Sequence, residues 1–241
     1  MNGPFGLVSG GRGNLVEGQW AAILGSRDNE ATDRDAAIGG GRENVSSGHY
    51  TWVAGGRDNS CYGDYPAIVG GRYNLTVGSH SVVAGGEENR SYGSSSTVTG
   101  GRENTTFGEH AVVSGGIFND ATGEGACVSG GVNNDAQGRS SSVSGGLDNR
   151  ARGIGSSIGG GIENWSSGVG SAVCGGMFNS ARAMATAILG GTDNVGNALT
   201  GCVCGGTRNW AGGAWSVVSG GSNRTTFDSS DWRAGSLYEE D

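Results

Sequence analysis

The hydrophobic and polar positions of this chain repeat with a period of fifteen residues. The phrase SVVAGG, residues 81–86, returns in related form at this step along almost the whole sequence. Its third position holds Val or Ile from Val8 to Val218, and its last two positions are glycines in every copy except Gly25-Ser26. A fixed step this short leaves no room for a helix in each repeat, so the pattern predicts a solenoid built from strands.

A second set of regular positions predicts a second strand in each repeat. Asn follows each glycine pair by three residues, from Asn14 to Asn209, and a small residue comes two positions later, as in NDAQG at 134–138. Alternation along each strand places these positions on one inward face. Two turns close the repeat, one at the glycine pair and one at the two residues after the later glycine, where we expect glycine to supply the positive φ. We therefore predict an all-β parallel β-roll, or β-solenoid, of about sixteen rungs.

The repeat sets the expected domain boundaries. The pattern is uninterrupted over residues 1–221, which we predict to be one continuous solenoid. It decays from Ser222, because Arg224 occupies the Asn position and Arg233 the Val position, so residues 222–241 are predicted to be a degenerate last rung and a C-terminal cap or tail. The chain shows no charged segment followed by a long apolar run, so we expect neither a signal peptide in this chain nor a membrane span.

Composition changes this interpretation less than the distribution of charge does. With 52 glycines and a net charge of −8, the chain resembles a disordered sequence, but disorder gives no reason for a fixed period. The repeated phrase contains no Asp, Glu, Lys, Arg or His in any copy from residues 6–11 to 216–221. Its second and fourth positions, called the ribbon here, include Val82, Val112 and Val217 and predict an uncharged outward face. Because large apolar surfaces are normally covered, we expect a homotrimer around a three-fold axis.

The segment NDAQGRSSSVSGG, residues 134–146, resembles the head repeat of YadA-like trimeric autotransporter adhesins and repeats in phage tail-fibre shafts. The heads of those adhesins are left-handed parallel β-rolls that form trimers and bind host matrix or glycans. The resemblance implies a non-enzymatic, rigid segment of a trimeric surface adhesin or of a viral or phage fibre. It also implies a location at the cell surface, outside the cell or on a virion, with a glycan or host surface protein as partner.

Two further columns are candidate contact surfaces. Aromatic and histidine side chains occupy one turn position, called the rim column, and there we expect either glycan stacking or packing at the rung edge. Its members of interest are Trp20, Tyr50, Tyr65, His80, His110 and Trp215. The position after the glycine pair holds Arg in most early repeats and turns apolar later, which predicts either a subunit or partner contact or a local repacking of the turn. This apolar stripe comprises Ile117, Val132, Leu147, Ile162 and Met177.

The sequence gives no support for catalysis, a cofactor or a metal. No Ser/His/Asp or Cys/His arrangement can be placed, and the periodic glycines precede no helix that could hold a phosphate. The five cysteines lack the spacing of a zinc site, and the nine-residue calcium repeat of other β-rolls is absent. A pI of 4.8 disfavours nucleic acid as a partner.

Two other functions remain open at this point. The ribbon could bind ice, since grass-type ice-binding β-rolls show a similar step and Asn-x-Val-x-Gly phrasing. Against this, the ribbon mixes several residue types, and Thr97 and Thr99 are nearly alone where an ordered Thr or Ser array is expected. The chain could also form an intracellular filament, assembled end to end through its open rungs.

Overall fold

The structure is a computed structural model of the 241-residue chain, and it describes residues 3–234. The predicted fold class is confirmed: the chain is an all-β parallel β-solenoid of about fifteen rungs, with no helix in residues 3–234. Odd-numbered strands belong to a first sheet and even-numbered strands to a second sheet. The chain comprises two compact units, Met1–Gly125 and Ala126–Asp241, both built on this plan. The continuity of residues 1–221 and the trimer stay predictions.

The strands are short, and each unit contributes them in strict alternation between the sheets. Those of the first unit are β1 Leu7–Val8, β2 Leu15–Val16, β3 Ala22–Ile23, β4 Glu30–Ala31, β5 Ala37–Ile38, β6 Val45–Ser47, β7 Trp52–Val53, β8 Ser60–Tyr62, β9 Ala67–Ile68, β10 Leu75–Thr76, β11 Val82–Val83, β12 Arg90–Ser91, β13 Thr97–Val98, β14 Thr105–Thr106, β15 Val112–Val113 and β16 Asp120–Ala121. Those of the second unit are β17 Cys127–Val128, β18 Asp135–Ala136, β19 Ser142–Val143, β20 Arg150–Ala151, β21 Ser157–Ile158, β22 Trp165–Ser166, β23 Ala172–Val173, β24 Ser180–Ala181, β25 Ala187–Ile188, β26 Val195–Gly196, β27 Cys202–Val203, β28 Trp210–Ala211, β29 Val217–Val218, β30 Thr225–Thr226 and β31 Trp232–Arg233.

The fifteen-residue period is the register of the sheets. Within a unit, each strand pairs in parallel with the strand one rung later, so that Val82 lies beside Thr97 and Val83 beside Val98. The backbone N–H of Val82 donates to the carbonyl of Ser96 at 2.9 Å. An insertion of one residue would turn every following side chain of that strand to the opposite face, which explains why the step is kept.

The core is one branched side chain thick. In a typical rung Ser81, Val83, Asn89 and Ser91 all point inward and are fully buried. The Val or Ile column of the first sheet therefore packs against the small column of the second sheet. Because the space between the sheets is narrow, a larger residue in the small column would overfill it. The prediction that both columns face inward is confirmed.

The Asn column forms a hydrogen-bonded ladder inside each unit. The Asn89 side-chain oxygen accepts from the backbone N–H of Asn104 at 3.0 Å, one rung later. Its amide nitrogen donates to the carbonyl of Gly85 at 2.9 Å in its own rung and to the carbonyl of Gly101 at 3.0 Å in the next. One buried carboxamide thus satisfies three backbone groups at the glycine-pair turn, as buried backbone polar groups require.

The positive φ angles lie partly where the sequence predicted them and partly elsewhere. At the glycine-pair turn the prediction is confirmed, since Gly86 has a φ of +88°. At the other turn it is wrong: the positive φ falls on the rim column, as in Tyr65 (61°) and His80 (58°). The later glycine serves a different purpose in most rungs, because a Cβ on Gly93 would lie 2.0 Å from the carbonyl oxygen of Gly108, although Asp33, Ala183 and Ala198 occupy the same column elsewhere. That glycine allows neighbouring rungs to approach closely.

The repeat continues through β31, but in the last rung only Thr226 of the inward positions stays fully buried. The backbone N–H of Arg224 still donates to the Asn209 side chain at 3.0 Å, yet Arg224 has no carboxamide to extend the ladder. Arg233, in the Val position, is exposed. These features fit the predicted degenerate rung, whereas residues 235–241 of the predicted cap lie outside the described residues.

Candidate binding surfaces

The ribbon is an uncharged outward face of the first sheet in both units. Val82 and Val112 in the first unit and Val217 in the second are half-buried. In the first unit Leu24 and Val69 are each 54% exposed, and in the second unit Leu189 is 52% exposed. No other segment of the same rung covers these side chains. The ribbon's role in subunit contact stays a prediction.

The rim column forms a stack of rings in the first unit. The ring centroids of Tyr50 and Tyr65 lie 4.8 Å apart with the planes at 1°, and those of Tyr65 and His80 lie 5.0 Å apart. The guanidinium of Arg34 lies 5.6 Å from the ring centroid of Trp20 and 5.8 Å from that of Tyr50. Both faces of Tyr65 are therefore covered by neighbouring rings.

Two other members of the rim column lie outside this stack. His110 is exposed, and the same column holds Ser95 one rung earlier. Trp215, in the second unit, is 59% exposed and has Thr200 one rung earlier in its column. The predicted glycan contact stays a prediction, and the geometry leaves Trp215 better placed for stacking on a sugar than Tyr65.

The Arg and acidic columns of the first unit pair side by side on the surface. Arg42 Nη2 lies 2.8 Å from Glu43 Oε1, and Arg57 Nε lies 3.3 Å from Asp58 Oδ2. The hydrogen bond from Arg42 lowers the pKa of Glu43, whereas burial and a hydrogen bond with Glu43 raise the pKa of Asp58. The two stacked carboxyl groups therefore have opposite pKa shifts.

The apolar stripe occupies one backbone position in consecutive rungs of the second unit. Isolated parallel bridges join Val132 to Leu147, Leu147 to Ile162 and Ile162 to Met177. These four side chains are between 37% and 41% exposed. Ile117, in the first unit, is half-buried. The predicted subunit or partner contact stays a prediction, and the partial exposure of these side chains is compatible with it.

The cysteines occupy unlike environments and remain thiols. Cys61 is fully buried, and burial raises its pKa to about 11. The Cys202 and Cys204 sulfurs lie 4.0 Å apart, far beyond the length of a disulfide bond. Among residues 3–234, no group of three or more His, Cys, Asp or Glu side chains is placed to hold a metal ion.

The structure also assembles a cluster that the column analysis missed. In the second unit Trp165 projects from the second sheet beside Arg150 and Arg152, whose guanidinium carbons lie 5.3 and 4.5 Å from its ring centroid. An open cleft of about 580 Å³ borders Trp165 and Arg152, and Arg182 lines it as well. Neither Trp165 nor any of these arginines stands out when its own column of the repeat is considered alone. Only a comparison of diagonal positions on the second sheet would have found the cluster.

Comparison with known proteins adds no assignment. No protein-family model matches this chain, and no curated protein matches it at a significant level. A search of residues 3–234 for a helix long and apolar enough to cross a membrane found none.

Proposed function

We propose that this chain is a non-enzymatic, rigid segment of a multi-chain fibre, either a trimeric surface adhesin or a viral or phage fibre. The proposal places it at the cell surface, outside the cell or on a virion. The observation that carries it is the ribbon, an uncharged and partly apolar face that recurs in every rung of both units. A β-solenoid is compatible with such a role, because each rung is held by its neighbours.

Rigidity within a unit is supported by the Asn ladder. Asn89 bonds backbone groups of its own rung and of the next rung, and Asn74 bonds Asn89 in the same way at 3.0 Å. Separating two neighbouring rungs would break these Asn side-chain hydrogen bonds together with the backbone hydrogen bonds of the sheets. A buried polar group that loses its partner costs about 1–3 kcal/mol, so the ladder opposes local opening.

Self-association is supported by the chemistry of the ribbon. Leu24, Val69 and Leu189 project about half of their surface into water from a face without a charged neighbour in the repeated phrase. Each apolar Å² removed from water contributes about 25 cal/mol, and the ribbon repeats this gain at every rung. Three copies around a common axis would cover one such face from each chain.

Light scattering of the purified full chain tests the proposal. We expect a mass three times that of one chain. Val69→Glu places a charge in the ribbon and should yield monomers with an unchanged far-ultraviolet circular dichroism spectrum. Val77→Glu is the matched control, because Val77 directly follows β10, is 41% exposed and lies outside the ribbon. A wild-type monomer would contradict the proposed trimer.

Ice binding is the second candidate, and the in-register, uncharged strands of the ribbon favour it. Pairs such as Val82 and Thr97 repeat at the rung spacing on a continuous sheet face within the first unit. Thermal hysteresis of the same sample separates the two functions. A monomer that produces hysteresis supports ice binding, whereas a trimer without hysteresis supports the fibre segment. A monomer without hysteresis contradicts both.

A glycan or host surface protein is the proposed external partner, contacted through the rim column. Trp215 is its most exposed aromatic side chain of interest at 59%, and amphipathic rings of this kind stack on sugars. Glycan-array binding should weaken in Trp215→Ala more than in Tyr65→Ala, because both faces of Tyr65 are covered by neighbouring rings. Equal binding by both variants and the wild type would contradict this contact.

A further inference from the structure

The Trp165 cluster combines an aromatic platform with guanidinium groups on one sheet face. Arg150 is the register partner of Trp165 one rung earlier, and Ser180 is its partner one rung later. Arg150 and Arg152 belong to the same rung, so both guanidinium groups approach the indole from the earlier side. The later side carries only the small side chain of Ser180 at the register position. Trp165 therefore contacts two guanidinium groups of the earlier rung and borders an open cleft next to the small Ser180 of the later rung.

The space beside Trp165 is a defined cleft of about 580 Å³. Its lining includes Arg152, Trp165, Ser167, Phe178, Ser180 and Arg182. Arg182 folds across its own rung, with its Nε donating to Ser180 Oγ at 2.9 Å. The guanidinium of Arg182 is thus held above the small residue that leaves the cleft open. The cleft offers an apolar ring, hydroxyl groups and two arginines within one opening.

The local charge is positive in an otherwise acidic chain. Arg150, Arg152 and Arg182 provide three cations around the cleft, while Glu163 lines it and Asp135 lies beside Arg150 in the register. The whole chain carries a net charge of −8. A long polyanion would meet repulsion over most of the surface, whereas a short ligand whose carboxylates lie at the cleft would meet chiefly the local cations.

We propose that this cleft binds a pyranose sugar that carries a carboxylate, with the sugar ring against the open face of Trp165 and the carboxylate on Arg182 or Arg152. A planar guanidinium matches a carboxylate in a bidentate pair, and an indole presents a broad apolar face to a sugar ring. The site deepens the proposed function by naming a glycan class. It does not depend on self-association, because the cleft lies on the second sheet and the ribbon on the first.

Binding of short uronate oligosaccharides to the full chain tests the site. Calorimetric titrations with tetramers of galacturonate, glucuronate and mannuronate should give saturable binding of at least one of them. The methyl ester of that tetramer should bind at least tenfold more weakly, since esterification removes the charge and leaves the ring. The oligomeric mass is measured in the same samples, so that loss of the trimer and loss of sugar binding are seen separately.

Variants assign the binding to the cleft. Trp165→Ala removes the ring that stacks on the sugar and Arg182→Ala removes a charge-assisted hydrogen bond, so each should weaken binding about tenfold or more. Trp210→Ala is the matched control, because Trp210 is 45% exposed and occupies the same column of the second sheet, without an arginine in the adjacent register positions Val195 and Thr225. Ser180→Tyr should block the cleft while keeping every arginine and Trp165, which provides a test even where Trp165→Ala fails to fold. Failure of all three tetramers to bind, equal binding of the ester, or unchanged affinity in Ser180→Tyr would overturn the proposal.

Discussion

The two turns of each rung are held in different ways. At the glycine-pair turn, Asn89 lies inside and bonds Gly85, Gly101 and Asn104, so the turn is fixed by a buried side chain. At the rim turn, the backbone approaches its neighbour closely at Gly93, and the side chains of the rim column lie outside. The first turn depends on side-chain chemistry, and the second depends in most rungs on the absence of a side chain at the Gly93 position.

This difference explains why the Asn and second-glycine columns of the first turn are nearly fixed, whereas the rim column of the other turn varies. The glycine-pair turn requires a carboxamide and a glycine with positive φ in almost every rung. The rim column accepts Tyr65, His80, Ser95 and Ala185, all at φ between 55° and 61°. An L-residue in the left-handed region is strained by about 1–2 kcal/mol, and the closure of the rung imposes this strain on whichever residue is present. We therefore expect substitutions at the two turns to differ in size and in sign.

The largest effect is expected from Asn89→Ala. The substitution removes one carboxamide and leaves the Asn104 N–H, in a buried residue, and the half-buried Gly85 carbonyl without that partner, whereas the Gly101 carbonyl still accepts from the Glu87 N–H. We expect the free energy of unfolding to fall by about 4 kcal/mol, since each orphaned group costs about 1–3 kcal/mol. Urea denaturation measures the change. Arg90→Ala, at the adjacent outward position, is the control and should change stability by less than about 0.5 kcal/mol. Similar losses in both variants would refute the distinction between inner and outer positions.

The next effect separates the two glycines of one pair. A Cβ on Gly86, whose φ is +88°, would lie 2.2 Å from the carbonyl oxygen of Gly101, whereas a Cβ on Gly85 would meet no atom within 4 Å. Gly86→Ala should therefore lower the free energy of unfolding by about 3 kcal/mol. Gly85→Ala should change it by about 0.5 kcal/mol or less. Thermal unfolding of the two variants in parallel provides the measurement, and equal melting temperatures would contradict the assigned close contact.

The rim turn should respond in the opposite direction. Ser95 has a φ of 55°, so Ser95→Gly relieves left-handed strain and should raise the free energy of unfolding by about 0.5–1 kcal/mol. Tyr65→Gly relieves the same strain but removes the stacking on Tyr50 and His80, each contact being worth about 0.5–1.5 kcal/mol. We expect it to lower stability by about 1 kcal/mol. Urea midpoints measured side by side decide this, and a destabilised Ser95→Gly would count against strain in the rim column.

The repeating columns were predictable because each column has one structural role, which is the same in every rung. The inward positions of Val83 and Asn89 hold the same type of residue in nearly every rung, because each rung has the same core to fill. The fixed fifteen-residue step makes these positions recognisable in the sequence. The positive φ of Tyr65 was not predictable, because local preference favours glycine and only the closure of the rung overrides it.

The Trp165 cluster escaped prediction for a different reason. Its arginines are contributed by two columns, so Arg152 meets Trp165 diagonally across rungs. A search that follows one column at a time compares Trp165 with Arg150 and Ser180 but not with Arg152 or Arg182. Sheet neighbours at diagonal positions remain within reach of long side chains, so a two-dimensional arrangement of the repeat is needed to detect such sites.

The smallest effect concerns the outer side of the glycine-pair turn, where acidic side chains stack at the rung spacing. Hydrogen bonding to Arg42 lowers the pKa of Glu43, whereas burial and a hydrogen bond with Glu43 raise the pKa of Asp58. Asp58 therefore keeps its proton to a higher pH than an isolated Asp and donates it to Glu43. The folded state holds more protons at Asp58 than the unfolded state does, so this group's contribution to stability falls as pH rises from the ordinary Asp pKa through the raised one. Glu43 acts in the opposite sense, because its contribution is present above the ordinary Glu pKa and is lost as pH falls through the lowered one.

These opposite signs make the net change in stability small, so the individual titrations are the sharper measurement. Carboxyl carbon resonances followed by NMR should show a pKa of Asp58 above that of an isolated Asp and a pKa of Glu43 below that of an isolated Glu. Arg42→Ala should raise the pKa of Glu43 towards its ordinary value, because it removes the first cause of the shift. If Asp58 instead showed no rise in its pKa above that of an isolated Asp, the two carboxyl groups would not share a proton. The acidic side chains on the outer side of the glycine-pair turn would then titrate independently of one another. At this turn, only the buried Asn ladder would couple one rung to the next.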